Sequence, residues 1–169
     1  MEPLAAAVAE FLRSAHGEDA GDRLVIPGWG QREWESLFAC TQPVKLDAGE
    51  VLIQPRGGDR ALYFIASGQL ELVRIDDAAG GISPIVTISQ GSVVGELAFF
   101  DGKPRSAKVW AVTPALLLKF TLEDYQRYLG LNAAEAVTFL FAMGRLLSYR
   151  LRNPVIRPAS TVQAARSSG

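Results

Sequence analysis

Short apolar runs separated by turns dominate the middle of this chain of 169 residues. Between residues 44 and 121, seven runs rich in β-branched or aromatic residues alternate with turns that mostly contain glycine. The runs are Val44–Leu46, Val51–Gln54, Leu62–Ala66, Gln69–Ile75, Ile85–Ser89, Lys108–Val112 and Leu116–Thr121. Many short strands at this spacing are typical of a small antiparallel barrel or sandwich. The pattern therefore predicts a mainly β fold.

Helical patterns flank these strands on both sides. Residues 4–13 and Gln31–Cys40 carry apolar side chains at helical spacing. After the last run, Thr121 can cap a helix that has Asp124 at its third position. A longer helix is predicted from about Ala133 to Arg152. The residues available for its apolar stripe are Val137, Leu140, Phe141, Leu147 and Leu151.

The order of these patterns predicts four segments. Residues 1–41 form an N-terminal helical segment, and residues 42–121 form the β region. Residues 122–153 form a pair of C-terminal helices. Residues 154–169 are rich in Pro, Ser, Ala and Arg with little to pack, so we expect a flexible tail.

Composition narrows the classes of function. The net charge of −1 creates no general attraction to nucleic acid or to a membrane surface. No apolar run approaches the length of a membrane span, and the N-terminus lacks the basic start of a signal peptide, so we expect a cytoplasmic protein. His16 and Cys40 are the chain's single histidine and single cysteine. They leave no clear nucleophile–base system and no zinc spacing, so we expect no enzyme and no metal.

The segment from Gly91 to Val109 carries the chemistry. Gly95 lacks a Cβ at a point where a ligand can approach the backbone. Residues 97–100 can form one helical turn with free N–H groups, which suits an anion. Arg105 offers a planar fork of donors that matches phosphate oxygens. Glu96 is poorly suited to phosphate but can accept hydrogen bonds from a sugar hydroxyl.

Two interpretations of the charged pair remain open from the residues alone. Glu96 and Arg105 can serve the sugar and the phosphate of one ligand in a single pocket. They can also form a simple salt bridge across one end of the barrel.

The order of residues within this segment matches a known family motif. Gly-Glu-Leu-Ala-Phe-Phe-Asp-Gly-Lys-Pro-Arg-Ser-Ala, residues 95–107, resembles the phosphate-binding cassette of cyclic-nucleotide-binding domains. These domains occur in catabolite-activator-type regulators, protein kinase A regulatory subunits and cyclic-nucleotide-gated channels. Residues 48–53 resemble the family's early Gly-Glu strand, residues 57–73 resemble its hairpin, and Gly91 matches the glycine before the cassette. Over residues 42–152 the resemblance implies a β-roll (jelly-roll, double-stranded β-helix) with N-terminal helices and a C-terminal helix pair.

The resemblance also implies the roles of individual residues. Arg105 would pair with the cyclic phosphate, and Glu96 would accept from the ribose 2′-hydroxyl. Backbone N–H groups of Leu97 and Ala98 would complete the phosphate cradle, and Ser106 would donate near phosphate or base. The implied ligand-binding residues are therefore Gly95, Glu96, Leu97, Ala98, Arg105 and Ser106.

The function implied is a regulatory sensor of a cyclic mononucleotide. We expect cAMP rather than cGMP as ligand, although a hydroxyl residue after the cassette arginine occurs in the family with both bases. The last helix would move on binding and alter a surface that contains Arg145, Arg150 and Arg152, presented to an unidentified effector protein or to a second copy in a homodimer. The chain is too short after Pro154 for a helix-turn-helix, so we expect no direct nucleic-acid binding. The alternatives are an interaction module with an empty pocket or another ligand, and the sensor half of a truncated transcription regulator.

Overall fold

Nine strands and five helices make up the part of the chain that the computed structural model describes, which is residues 3–15, 21–76, 81–82 and 85–154. The strands are β1 (Gln42–Leu46), β2 (Val51–Ile53), β3 (Ala61–Ser67), β4 (Gln69–Asp76), β5 (Gly81–Ile82), β6 (Val86–Ser89), β7 (Val93–Val94), β8 (Ala107–Ala111) and β9 (Ala115–Thr121). The helices are α1 (Pro3–Ala15), α2 (Gln31–Phe38), α3 (Glu96–Asp101), α4 (Leu122–Leu131) and α5 (Ala133–Arg152). Residues 155–169 of the predicted tail, and His16, lie outside the described residues.

The strands form two antiparallel sheets. One has the order β1-β9-β3-β7. The other has the order β2-β8-β4-β5, and β6 also pairs with β4. Among the described residues the pairings do not close a barrel, so the architecture is a roll of two sheets with helices at its flanks. The predicted mainly β roll is confirmed.

Strand β3 divides the core in two because its residues 61–66 are all buried. Successive side chains of a strand point to opposite faces of the sheet. Tyr63 and Ile65 belong to the cluster between the two sheets. Leu62 and Phe64 belong to the cluster that packs the helices onto the first sheet. The helices are thus attached to the face of that sheet that lies opposite the second sheet.

Helix α4 begins with the predicted cap. Thr121 Oγ1 accepts from the backbone N–H of Asp124 at 3.1 Å, and the backbone N–H of Thr121 donates to Asp124 Oδ2 at 2.9 Å. This reciprocal pair satisfies two amides that the first turn of a helix leaves without helical partners. The cap therefore marks the end of β9 and the start of α4.

Only part of the predicted apolar stripe of α5 faces the core, because Leu140 packs against the cluster beneath the helices while other members of the stripe are exposed. The buried side chains of α5 are Ala136, Phe139, Ala142, Met143 and Leu146. Val137, Phe141 and Leu151 from the predicted stripe are 48%, 73% and 82% exposed. Phe139 explains the choice, because its ring lies 6.1 Å from that of Phe64 and 5.8 Å from that of Phe120. The contacts of Phe139 with these other aromatic rings outweigh the burial of the aliphatic side chains in the predicted stripe.

None of the described helices combines the length and the apolar character that crossing a bilayer requires.

Candidate functional site

The segment predicted to be a cassette folds as a short helix, α3, held between β7 and the loop before β8. Gly95 precedes α3 with a φ of +85°, in the left-handed region that favours glycine. A Cβ on Gly95 would lie 2.7 Å from Arg105 Nη1 and 2.9 Å from Ala61 O. Glycine is therefore required here because the protein's own arginine and backbone fill the space. A ligand is not needed to explain it.

The first amides of α3 have no acceptor within the helix. The backbone N–H of Phe99 donates to Gly95 O at 3.4 Å, which is the first bond of the helical kind. The amides of Leu97 and Ala98 come before it, in the part of a helix whose N–H groups have no helical acceptor. At the other end, Arg60 Nη2 donates to Phe99 O at 2.9 Å and holds the last turn.

Arg105 is buried, and the protein orients it. Its side chain is 3% exposed. Its Nε and Nη2 donate to the two carboxylate oxygens of Asp59 at 3.0 and 2.9 Å, and Nη2 also donates to Ala61 O at 2.7 Å. Nη1 donates to Gly95 O at 2.8 Å. These four bonds leave one Nη1 hydrogen of Arg105 without an acceptor among the described residues.

Asp59 is the anion that holds this arginine. The hydrogen bond from Arg105 holds the pKa of the Asp59 carboxyl below its usual value, although partial burial acts in the opposite direction. Two backbone bonds fix the same region: Arg56 N–H donates to Arg105 O, and Arg105 N–H donates to Gly57 O, both at 2.9 Å. The guanidinium of Arg105 is thus set in place before any ligand binds.

Glu96 does not pair with Arg105. Its Oε1 accepts from Arg150 Nη1 at 2.7 Å, and its side chain is 10% exposed. The salt bridge between Glu96 and Arg105 that the sequence left open is therefore wrong. The two residues take different ion partners, Asp59 for Arg105 and Arg150 for Glu96.

Arg150 reaches this position from the last turn of α5. Its Nε and Nη2 donate to Asp22 at 2.6 and 3.1 Å, and Nη2 also lies 3.0 Å from Ser92 Oγ and 2.7 Å from Val93 O. Burial acts to lower the pKa of Arg150, but the carboxylates of Glu96 and Asp22 outweigh it and raise that pKa overall. The prediction that placed Arg150 on a partner surface beside Arg145 and Arg152 is wrong, because its side chain is only 20% exposed and its guanidinium contacts Glu96 of the cassette.

Two adjoining clefts open at the cassette. The first holds about 390 Å³ of open space, and all six predicted ligand-binding residues line it. The second holds about 1070 Å³ and lies between β4, β6 and the end of α5. Leu72, Arg74 and Glu96 line both. The smaller cleft carries the cassette donors. The larger one adds the apolar Val86 and Ile88, Tyr149 from α5, and Asn153 directly after α5.

Sequence reasoning brought the six cassette residues together but missed their partners. Their partners Asp59, Asp22 and Arg150 are ordinary charged residues far away along the chain. Of the three, only Asp59 lies in the segment that resembles the family's hairpin, residues 57–73. Among the described residues no group of three or more His, Cys, Asp or Glu side chains could hold a metal ion. Cys40 is buried beside the helices, as expected of a small apolar residue.

Comparison with known proteins identifies the same region. The sequence profile of the family described as "Cyclic nucleotide-binding domain" matches residues 43–132, more than half of the chain. A cAMP-dependent protein kinase regulatory subunit of Emericella nidulans is 33% identical over 87 residues, which is 52% of this chain and 20% of that protein. The chain therefore spans about a fifth of the length of that relative.

Solved structures resemble the chain as a whole. A cyclic nucleotide-binding domain from Methylobacillus flagellatus superposes with a TM-score of 0.73 at 20% identity, covering 86% of this chain and 78% of that one. The catabolite activator protein of Thermus thermophilus superposes with a TM-score of 0.66 at 25% identity, covering 75% of this chain and 57% of that one. The first likeness bears on the fold alone.

Proposed function

Because the chain belongs to the cyclic nucleotide-binding domain family, we propose that it is a sensor that binds a cyclic mononucleotide at the cassette. The observation that carries this proposal is the buried Arg105, oriented by Asp59 and facing the same cleft as the first amides of α3. A desolvated guanidinium with backbone N–H groups beside it suits a singly charged phosphate diester. A binding role without catalysis is part of the proposal.

The phosphate takes the smaller cleft. The remaining Nη1 hydrogen of Arg105 and the amides of Leu97 and Ala98 are its donors, and Ser106 is exposed at the same cleft and adds a hydroxyl. Hydrogen bonds to a charged partner contribute about 1.5–3 kcal/mol each, more than bonds between neutral groups. Gly95 has no ligand contact of its own in this scheme and acts by leaving room for Arg105.

The sugar and the base follow from the position of Glu96. Glu96 lies where the two clefts meet, so a ribose 2′-hydroxyl that donates to it directs the base into the larger cleft. Val86 and Ile88 offer that base an apolar wall, and Thr87 offers a hydroxyl. We propose cAMP in preference to cGMP, on the support of the matched protein kinase A relative, which is cAMP-dependent.

Ligand binding repositions α5 in this proposal. Tyr149 and Arg150 from the last turns of α5, and Asn153 directly after it, line the larger cleft, so a ligand there contacts the helix directly. A ligand shifts such an equilibrium only through a difference in affinity between two helix positions. Amide hydrogen exchange of α5 with and without saturating cAMP tests this step: exchange that stays the same in both states contradicts it.

The output of the sensor is an effector protein or a second copy of the chain. Val137 and Phe141 leave an exposed apolar strip on α5, and Arg145 is exposed on the same helix. An exposed apolar strip of this kind is typical of an interaction surface. No direct contact with nucleic acid is proposed, and a cytoplasmic location stays a prediction.

An interaction module that keeps the fold without a cyclic nucleotide is the second candidate. It is favoured by the engagement of Arg105, since four of its N–H bonds are taken by the protein itself. The sensor half of a transcription regulator is a third, supported by the likeness to the Thermus catabolite activator protein.

Thermal unfolding with a panel of nucleotides separates these candidates. A ligand at 100 times its Kd stabilises the folded state by about 2.7 kcal/mol, which raises the Tm of a domain of this size by roughly 5–10 °C. We expect that shift with cAMP, a smaller one with cGMP at equal concentration, and none with 5′-AMP. A Tm that no cyclic nucleotide changes would favour the interaction module.

A further inference from the structure

Arg150 joins three segments of the chain at one guanidinium. Asp22 from the N-terminal segment accepts two hydrogen bonds along one edge of it, with Oδ1 2.6 Å from Nε and Oδ2 3.1 Å from Nη2. Glu96 from the cassette takes a single bond from Nη1 at 2.7 Å. Arg150 itself belongs to α5. The N-terminal segment therefore holds the arginine by two bonds and the cassette holds it by one.

The two bonds to Asp22 set the plane of the guanidinium. A paired carboxylate fixes the orientation of an arginine better than any single acceptor does. Ser92 Oγ supports the arrangement, because it lies 2.9 Å from Asp22 Oδ2 and 3.0 Å from Arg150 Nη2. The N-terminal segment is itself held to the turn between β6 and β7 by the hydrogen bond from Leu24 N–H to Gly91 O at 2.9 Å. Because Nε and Nη2 are occupied by Asp22, Ser92 and Val93, Nη1 is the nitrogen that donates to Glu96.

This arrangement leaves one side of Glu96 open to a ligand. Its Oε1 is held by Arg150, whereas its Oε2 accepts no hydrogen bond from the described residues. Glu96 also lines both clefts. Two carboxylates around one guanidinium leave an excess of acceptors, so the remaining oxygen suits a neutral hydroxyl donor.

We propose that Asp22 is a positioning residue of the ligand site: through Arg150 it holds Glu96 so that Oε2 faces the ligand's 2′-hydroxyl. The inference rests on the proposed function, since it concerns the sugar of that ligand. Asp22 and Arg150 both lie outside residues 43–132, the part of the chain that the family profile matches. In this proposal the N-terminal segment therefore contributes to recognition of the ligand's sugar.

A structural role and a positioning role of Asp22 predict different changes in ligand binding. The side chains of Arg150 and Asp22 are 20% and 41% exposed, so their ion pair is partly buried and contributes to the fold in either case. The two roles differ in which ligands they affect. A structural role of Asp22 would weaken all ligands equally. A positioning role weakens only those ligands that carry a 2′-hydroxyl.

Calorimetric titration with cAMP and with 2′-deoxy-cAMP provides the test. For the unsubstituted protein we expect the Kd of the deoxy ligand to be higher by about tenfold or more, as for a lost hydrogen bond to a charged group. Asp22→Asn keeps the shape of the side chain but breaks the two-bond contact, and we expect it to reduce that ratio by about threefold or more. Asp47→Asn is the matched control, since Asp47 is exposed and lines neither cleft, and we expect an unchanged ratio.

A second variant keeps the test decisive if Asp22→Asn folds poorly. Arg150→Lys keeps the charge but cannot make the paired contact, so we expect a similar fall in the ratio. Adding Asp22→Asn to Arg150→Lys should then change the ratio no further, because both act through one contact.

The outcomes separate the inference from the proposed function. A ratio that stays the same in both variants, or equal losses for the two ligands, overturns the role of Asp22 while cyclic-nucleotide binding stands. An unsubstituted protein that binds neither ligand overturns the proposed function and the inference together.

Discussion

Gly95→Ala perturbs the cassette at the point where its backbone meets Arg105. Two separate effects follow from the structure. The φ of +85° is unfavourable for any residue with a Cβ, at about 1–2 kcal/mol. The added methyl would also lie 2.7 Å from Arg105 Nη1 and 2.9 Å from Ala61 O, and forcing a methyl into such a space costs about 1–3 kcal/mol. We therefore expect Gly95→Ala to lower the free energy of unfolding by roughly 2–5 kcal/mol.

Gly49→Ala is the matched control for the backbone effect. Gly49 has nearly the same φ, +88°, but an added Cβ would meet no atom within 4 Å. Its loss should be about 1–2 kcal/mol, with ligand binding intact. Urea unfolding of both variants, with calorimetry of cAMP binding, measures the two effects. Equal losses of stability in the two variants, or normal cAMP affinity in Gly95→Ala, would refute the packing of Gly95 against Arg105.

Two further predictions concern the core and the acid end of the pH range. In urea unfolding, Phe139→Ala should lower the free energy of unfolding by about 3–5 kcal/mol, because Phe139 is buried. Phe141→Ala, on the exposed face of α5, should lower it by less than about 0.5 kcal/mol at low protein concentration. A loss for Phe141→Ala that grows with protein concentration would indicate self-association through α5. Because Arg105 holds the pKa of Asp59 below its usual 3.8, the ion pair stabilises the fold above that pH and the stabilisation is lost as the pH falls through the lower folded value. Between about pH 5 and pH 3 the unsubstituted protein should thus lose more stability than Asp59→Asn, and parallel pH curves for the two proteins would contradict this.

Local sequence signals predicted most of the fold. Alternating apolar runs and glycine turns located seven strands, and the cap at Thr121 located the start of α4. The two strands that were missed, β5 (Gly81–Ile82) and β7 (Val93–Val94), have two residues each. Such short strands carry no measurable alternation, and their pairing depends on the neighbouring strands β4 and β3. Their existence is a tertiary effect.

The site was predictable only where its residues are contiguous. The cassette from Gly95 to Ser106 is one motif, so its six members could be named together. Arg150 belongs to a helix whose face could not be deduced from spacing, because α5 carries apolar residues on two sides. Asp22 meets it across 128 positions of the chain. Contacts of that range depend on how the whole fold closes, and no local pattern signals them.

The most direct test is calorimetric titration of cAMP into the unsubstituted protein and into Arg105→Ala, with Arg32→Ala as control. Arg32 is exposed and lines neither cleft. Loss of one partner of a desolvated charged contact costs about 2–5 kcal/mol, so we predict a Kd at least about thirtyfold higher for Arg105→Ala and little change for Arg32→Ala. Equal cAMP affinity in the unsubstituted protein and in a folded Arg105→Ala variant would contradict it.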